Sequence, residues 1–214
     1  TSVPNIMKVI GPLFLDELHE EFDKAQGSDT RLRKLLHRIH NLHIFDPACG
    51  SGNFLIITYK ELRRLEIKIL KQFNELPISG IRLDHFHGIE IDDFAHETAK
   101  LSMWLAEHQM NREFKEVMGR PLPSLPLRLS SNITHGNACR LDWVKAVGID
   151  EEHEVMVFGN PPYVGSRKQT KKLKEDIVAV LGHLKGHKSM DYILCWFYKG
   201  AVFLNEMNSR LSFV

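Results

Sequence analysis

The chain has 214 residues, 43% of them hydrophobic and 26% charged, with a formal net charge of +1. This composition suits one α/β core and excludes a wholesale polycation, so any nucleic-acid contact must be local. No run of about 18 apolar residues is present, which argues against a membrane span. The three cysteines, at 49, 139 and 195, lack metal-ligand spacing and point to reduced thiols in a cytoplasmic setting. No signal peptide is visible, in a chain that does not begin with Met.

Two helical segments are predicted first, about Asn5–Ala25 and Thr30–Asn41, the former with apolar residues at 14, 15, 18 and 22, a helix-face spacing. Strand–helix units follow at 43–72, 86–111, 132–147 and from 154 onward. This alternation predicts a doubly wound, mainly parallel sheet. Residues 118–131, with three prolines, read as a surface connection. In the first unit Ile44-Phe45-Asp46 ends a strand, and Pro47-Ala48-Cys49-Gly50-Ser51-Gly52 leads to a helix starting at Asn53-Phe54. Small residues let a ligand approach this backbone closely, and the free N–H groups of the helix start suit an anion. In the second, Phe86 to Ile91 ends with Glu90, an acid placed to accept hydrogen bonds from two ribose hydroxyls. Asp92 or Asp93 reads as the N-cap of the next helix. The third, Ile133 to Cys139, puts Asn137 and Ala138 at a strand end, where an adenine amino group has room to lie.

The fourth unit carries the most information. Val155-Met156-Val157-Phe158 is a buried-strand pattern, and Asn160-Pro161-Pro162-Tyr163 follows it. Two prolines stiffen the segment and remove two donors. The Asn160 side-chain oxygen and the Pro161 carbonyl can accept both hydrogens of a flat amino group, while Tyr163 stacks on the attached ring, a task that needs the ring and not the hydroxyl. From 166 to 188, Arg167, Lys168, Lys171, Lys172, Lys174, Lys185 and Lys188 stand against Glu175 and Asp176, a net +5. Such a run is either a solvated face or a set of phosphate contacts. Twelve histidines include His37 with His40 and His85 with His87, but no second pair at ligand distance, so no metal site is read.

Taken together, these segments resemble a class I S-adenosylmethionine-dependent DNA methyltransferase of the amino-group (N6-adenine) type. Asp46 to Phe54 resembles motif I, Gly88 to Asp92 motif II, Gly136 to Ala138 motif III, Asn160 to Tyr163 motif IV, and Asp191 to Phe197 the start of motif V. Arg210 to Val214 is similar to the next strand, and Thr1-Ser2 to the tail of motif X. The wording is nearest to type IIG/IIL restriction–modification polypeptides.

The resemblance implies a Rossmann-like α/β fold, with an N-terminal helical segment (1–42) and a methyltransferase core (43–214) that lacks the last strands. It implies S-adenosyl-L-methionine held by Thr1, Asp46, Pro47, Ala48, Cys49, Gly50, Gly52, Asn53, Phe54, Glu90, Ile91, Asn137, Ala138 and Asn160. Asn160, Pro161, Pro162 and Tyr163 then act on an adenine flipped out of double-stranded DNA, with Tyr163, Arg167, Lys168, Lys171 and Lys172 facing the nucleic acid. Cofactor motifs precede the catalytic one, the γ order, so the target-recognition domain is expected beyond 214 and an endonuclease on the same parent chain. Other readings are a methyltransferase for a glutamine amide or an RNA base amino group, and a non-catalytic DNA-binding module.

Overall fold

The computed structural model describes residues 1–73, 78–119 and 131–214. Most of the predicted proline-rich connection, 118–131, lies outside the described residues. Helix α1 (Val3–Ile10) runs through a π-helical turn (Gly11–Leu15) into α2 (Asp16–Ala25). The interruption that the sequence pattern missed falls at Pro12, which has no N–H for the α-helical ladder. Helix α3 (Asp29–His40) leads to β1 (His43–Asp46), α4 (Asn53–Leu70), β2 (Phe86–Glu90), α5 (Asp93–Met118) and β3 (Asn132–His135). Then come α6 (Trp143–Val147), β4 (Val155–Gly159), α7 (Lys171–Leu181), α8 (Leu194–Glu206) and β5 (Ser209–Phe213). Helix α5 runs seven residues beyond its predicted end at Asn111, whose side chain instead accepts a bond from buried Arg63 on α4 at 3.2 Å.

Among the described residues five strands form one parallel sheet in the order β3-β2-β1-β4-β5. Side chains alternate across it. Ile44, Phe86, Met156 and Phe158 join the apolar layer under α1 to α5, whereas Phe45, Ile89, Val155 and Val157 join the layer under α6, α7 and α8. Among the described residues no helix is long and apolar enough to cross a membrane.

Four histidines meet at the N-terminal edge of the sheet. His43 Nδ1 lies 3.0 Å from His87 Nε2, and the His43 ring stands 4.5 Å from that of His85 and 5.0 Å from that of His153. Among the described residues no group of three or more His, Cys, Asp or Glu side chains is arranged to hold a metal ion. Burial, reinforced by the neighbouring imidazoles, pushes His43 down to about 3 and His87 to about 4.

Both rings are therefore neutral in the folded chain, while the unfolded chain takes up protons near the ordinary value of 6.5. Stability from this cluster is complete above about pH 6.5 and is lost as the pH falls toward about 4. Denaturant titrations at pH 7 and pH 5 should reveal a loss of up to about 2 kcal/mol for each histidine. Replacing His43 and His87 together by Phe should flatten that dependence, and an unchanged slope would locate its origin elsewhere.

Candidate active site

The loops that follow β1, β2, β3 and β4 share the C-terminal edge of the sheet, where open α/β sheets hold ligands. Glu90, the last residue of β2, ties two of them together: Gly50 N–H donates to its Oε2 and Asp92 N–H to its Oε1, each at 2.8 Å. Main-chain bonds add to the joint, from Cys49 N to the Ile89 carbonyl at 3.1 Å and from Gly136 N to the Glu90 carbonyl at 2.8 Å. Gly52 caps the start of α4 with φ +86°, left-handed backbone that disfavours a side chain. Asp92 caps α5 by accepting from Ala95 N at 2.8 Å. Helix α8 steadies the first loop from the other side, as Trp196 Nε1 donates to the Pro47 carbonyl at 3.0 Å.

Asp46 ends β1 and is buried. Its Oδ1 accepts from Ala48 N at 3.0 Å. Burial pushes its carboxyl up to about 7, the Ala48 bond opposes the rise, and Glu90 adds to it. The carboxylate lies against the backbone of Gly159, so that a Cβ there would overlap Asp46 Oδ1. The next residue, Asn160, is exposed, and its Nδ2 donates to Thr1 Oγ1 at 3.3 Å. Thr1, Asp46 and Asn160 are thus gathered at one place from positions far apart in the chain.

Pro161 is buried and Pro162 exposed. Among the described residues no donor reaches the Pro161 carbonyl. Tyr163 is 62% exposed, free to cover a flat ring. Its hydroxyl donates to the Val214 carbonyl at 2.7 Å, so the hydroxyl, unneeded for stacking, holds the ring in place. Behind it, Val164 is clamped: its N–H donates to Asp191 Oδ1 at 3.1 Å, and its carbonyl accepts from Gln169 Nε2 at 2.8 Å.

Other predicted residues are disposed differently. Ile91 is 52% exposed beside Glu90, whereas Asn53 is exposed at the start of α4. The Phe54 ring is buried 5.7 Å from Phe158, facing the core and not the opening. Cys49 is buried, its thiol pushed up by that burial. Ala138 is buried, and its carbonyl accepts from Trp143 Nε1. Strand β3 stops two residues before Asn137, because Asn137 Oδ1 accepts from Cys139 N at 2.9 Å and closes a turn in place of the strand. Asn137 Nδ2 donates to Asp176 at 2.9 Å.

Arg167 and Lys168 lie on a short turn, with Lys171 and Lys172 opening α7, all exposed and, among the described residues, in no ion pair. Two lysines at a helix start oppose its dipole, a placement that local stability does not explain. Asp176, part of the same charged run by sequence, is buried and bound to Arg140, so the exposed face is more basic than the sequence count. Sequence reasoning assigned no role to Trp196, Asp191, Gln169 or Asp176, each of which has a partner more than twenty positions away.

The Asp46–Gly159 contact is open to test. Gly159→Ala should cost about 1–3 kcal/mol, the scale of overpacking a tight site, measured by denaturant unfolding. Unchanged stability would mean that the carboxylate gives way freely.

The chain is similar to known proteins in sequence and in fold. The family model described as MmeI, DNA-methyltransferase domain, matches residues 22–214. DNA methyltransferase A of Bacillus subtilis (strain 168) is 52% identical over 220 residues, covering 100% of this chain and 25% of that protein. A putative type II restriction enzyme and methyltransferase of Methanocaldococcus jannaschii is 40% identical over 97 residues, covering 43% of this chain and 8% of that protein. The solved structure of the type IIL restriction–modification enzyme MmeI in complex with DNA superposes with a TM-score of 0.93 at 38% identity, covering 100% of this chain and 29% of that one. The chain therefore spans about a quarter of the length of the relatives that it matches over its full extent. It belongs to the family of MmeI-type DNA-methyltransferase domains.

Proposed function

We propose that the chain is the catalytic core of an enzyme that transfers a methyl group from S-adenosyl-L-methionine to the N6 amino group of an adenine in double-stranded DNA. The observation that carries this reading is the position of Asn160, Pro161 and Tyr163, which present two free acceptors and an exposed ring beside buried Asp46 and Thr1. Residues 1–42 form a helical segment ending a cofactor-binding arm, and 43–214 the core. Target recognition and any endonuclease belong to further parts of a longer polypeptide. Three free, buried cysteines favour a cytoplasmic enzyme.

The residues present fit the methyl donor. Glu90 offers carboxylate oxygens to a ribose diol, Ile91 an exposed apolar face to a purine, and Asp46 a buried carboxylate that gains from a cation. Thr1, the loop 47–52, Asn53 and the turn at Asn137-Ala138 complete the surround. When bound, the donor supplies an electrophilic methyl on a sulfonium, a group that reacts by in-line displacement.

The chain's own residues do the rest. An adenine amino nitrogen is a poor nucleophile because its lone pair is delocalised into the ring. Asn160 Oδ1 and the Pro161 carbonyl accept its two hydrogens, favouring a pyramidal nitrogen and stabilising the positive charge that develops there. Tyr163 replaces the stacking lost when the base leaves the duplex, and Arg167, Lys168, Lys171 and Lys172 draw the phosphate backbone. The second reading, an amide or RNA amino acceptor, shares Asn160; a protein amide leaves those cations without a task, whereas RNA would use them as DNA does.

Two measurements on the polypeptide carrying this chain test the reading. Asn160→Ala should reduce methyl transfer to unmodified DNA by far more than tenfold, about 1.4 kcal/mol in barrier, while cofactor affinity stays near wild type; residual transfer within tenfold would contradict the assigned role. Because Asp46 ionises only near pH 7, affinity for the cationic cofactor should rise as the pH passes upward through 7. Asp46→Asn should abolish that rise, and a pH dependence kept by the variant would exclude Asp46 as its source.

A further inference from the structure

The carboxylate of Asp176 lies outside the methyl-transfer site, yet three side chains converge on it. Asn137 Nδ2 and the Tyr192 hydroxyl each donate to its Oδ2 at 2.9 Å, and Arg140 Nε donates to its Oδ1 at 2.6 Å. Asp176 is 2% exposed. Burial alone would raise its carboxyl, but the bonds from Asn137, Arg140 and Tyr192 outweigh that and hold it below the usual range. It therefore stays ionised near neutrality.

An ionised carboxylate accepts hydrogen bonds and donates none. The part of the Asn137 amide that faces it must be the NH2, since the reverse orientation sets oxygen against oxygen. The Cys139 N–H, which can only donate, demands the same choice from the other end, at 2.9 Å to Oδ1. Oδ1 accepts two hydrogen bonds, and one of its positions remains open on a half-buried residue next to Gly136, whose N–H is bonded to the Glu90 carbonyl. A negative charge on the NH2 side also polarises the amide and strengthens its oxygen as an acceptor. The contrast with Asn160 is instructive: its NH2 meets the Thr1 hydroxyl, which donates as readily as it accepts and so imposes no orientation.

We infer that Asp176 is a positioning residue that orients and polarises the Asn137 amide, making the chain selective for a cofactor whose purine carries a 6-amino group over one with a 6-oxo group. The inference rests on the proposed reading that Asn137 faces the cofactor's purine. It extends cofactor selection to helix α7, whose first residues carry Lys171 and Lys172.

Calorimetry on the polypeptide carrying this chain, with S-adenosylhomocysteine and S-inosylhomocysteine as probes, tests it. Wild type should prefer the adenosyl compound. Asp176→Asn should reduce that preference about threefold to tenfold, the worth of one neutral hydrogen bond; a merely structural role would lower both affinities by one factor and keep their ratio. If Asp176→Asn folds poorly by thermal melting, Asp176→Asn with Arg140→Gln removes the orphaned cation and should give the same reduced ratio. Tyr192→Phe, which strips a different donor from Asp176, should retain the wild-type ratio. Loss of preference in Asn137→Ala with full preference in both Asp176 variants would overturn the positioning role alone. Full preference in Asn137→Ala would overturn it together with the reading of Asn137. Equal loss of preference in Tyr192→Phe would overturn it in favour of general packing.

Discussion

The pairing of β1 with β4 is the constraint on which the site depends. The two strands are more than a hundred positions apart in the chain, yet Phe45 lies beside Val157 in the sheet. On one side of this pair the chain steps outward through β2 to β3, and on the other to β5. The loops leaving β1 and β4 therefore diverge, and the space between them is a crevice at the strand ends. Asp46 and Gly159 mark its floor. Because the carboxylate occupies the space where a side chain at 159 would go, the residue after it is delivered within reach of the chain's first residue. The loops that follow β1 and β4 are thus fixed relative to each other by main-chain ladder bonds, which are more rigid than side-chain contacts.

The two edges of the sheet have opposite chemistry. At the C-terminal edge three acids occupy three environments: Glu90 bonded by two main-chain N–H groups, Asp46 buried with one, and Asp176 ringed by donors. The first is built into the loop framework and the second is short of a cation, while the third is satisfied and acts through its neighbour. At the N-terminal edge four imidazoles pack together, and burial keeps those of His43 and His87 neutral. Charge that could meet a ligand is concentrated at one edge, and the other depends on neutrality for its packing.

Much of this was legible in the sequence because the informative residues are local punctuation. Asp46, Glu90 and Phe158 each end an apolar strand pattern, and the glycine loop and the Asn-Pro-Pro-Tyr segment follow closely. What the sequence hid depends on distant partners or on competition between local options. Trp196 supports Pro47 from 149 positions away, and nothing near either residue announces it. Asp176 reads as one acid in a basic run until the fold buries it against Arg140 and Asn137. Asn137 sits in a strand-like stretch, but its own side chain closes a turn that ends the strand early. Phe54 belongs to the glycine-loop motif by position, and only the start of α4 turns its ring into the core.

The π-helical turn at Gly11–Leu15 determines how the N-terminus meets the site. A π-turn holds about one residue more than an α-helix needs for the same advance, and one residue corresponds to about 100° of rotation about the axis. It therefore acts as a phase shifter between α1 and α2. The later helix keeps Leu18 and Ala25 in the core, the earlier keeps Ile6 and Ile10 there, and the two stripes need not share one angular register. Closing the turn to regular α-helical geometry without removing a residue would swing Val3–Ile10 by about a quarter of a circle relative to α2. Thr1 would leave Asn160 although neither residue had changed. The azimuth of the first helix is thus encoded ten to fourteen residues away from the threonine that it delivers.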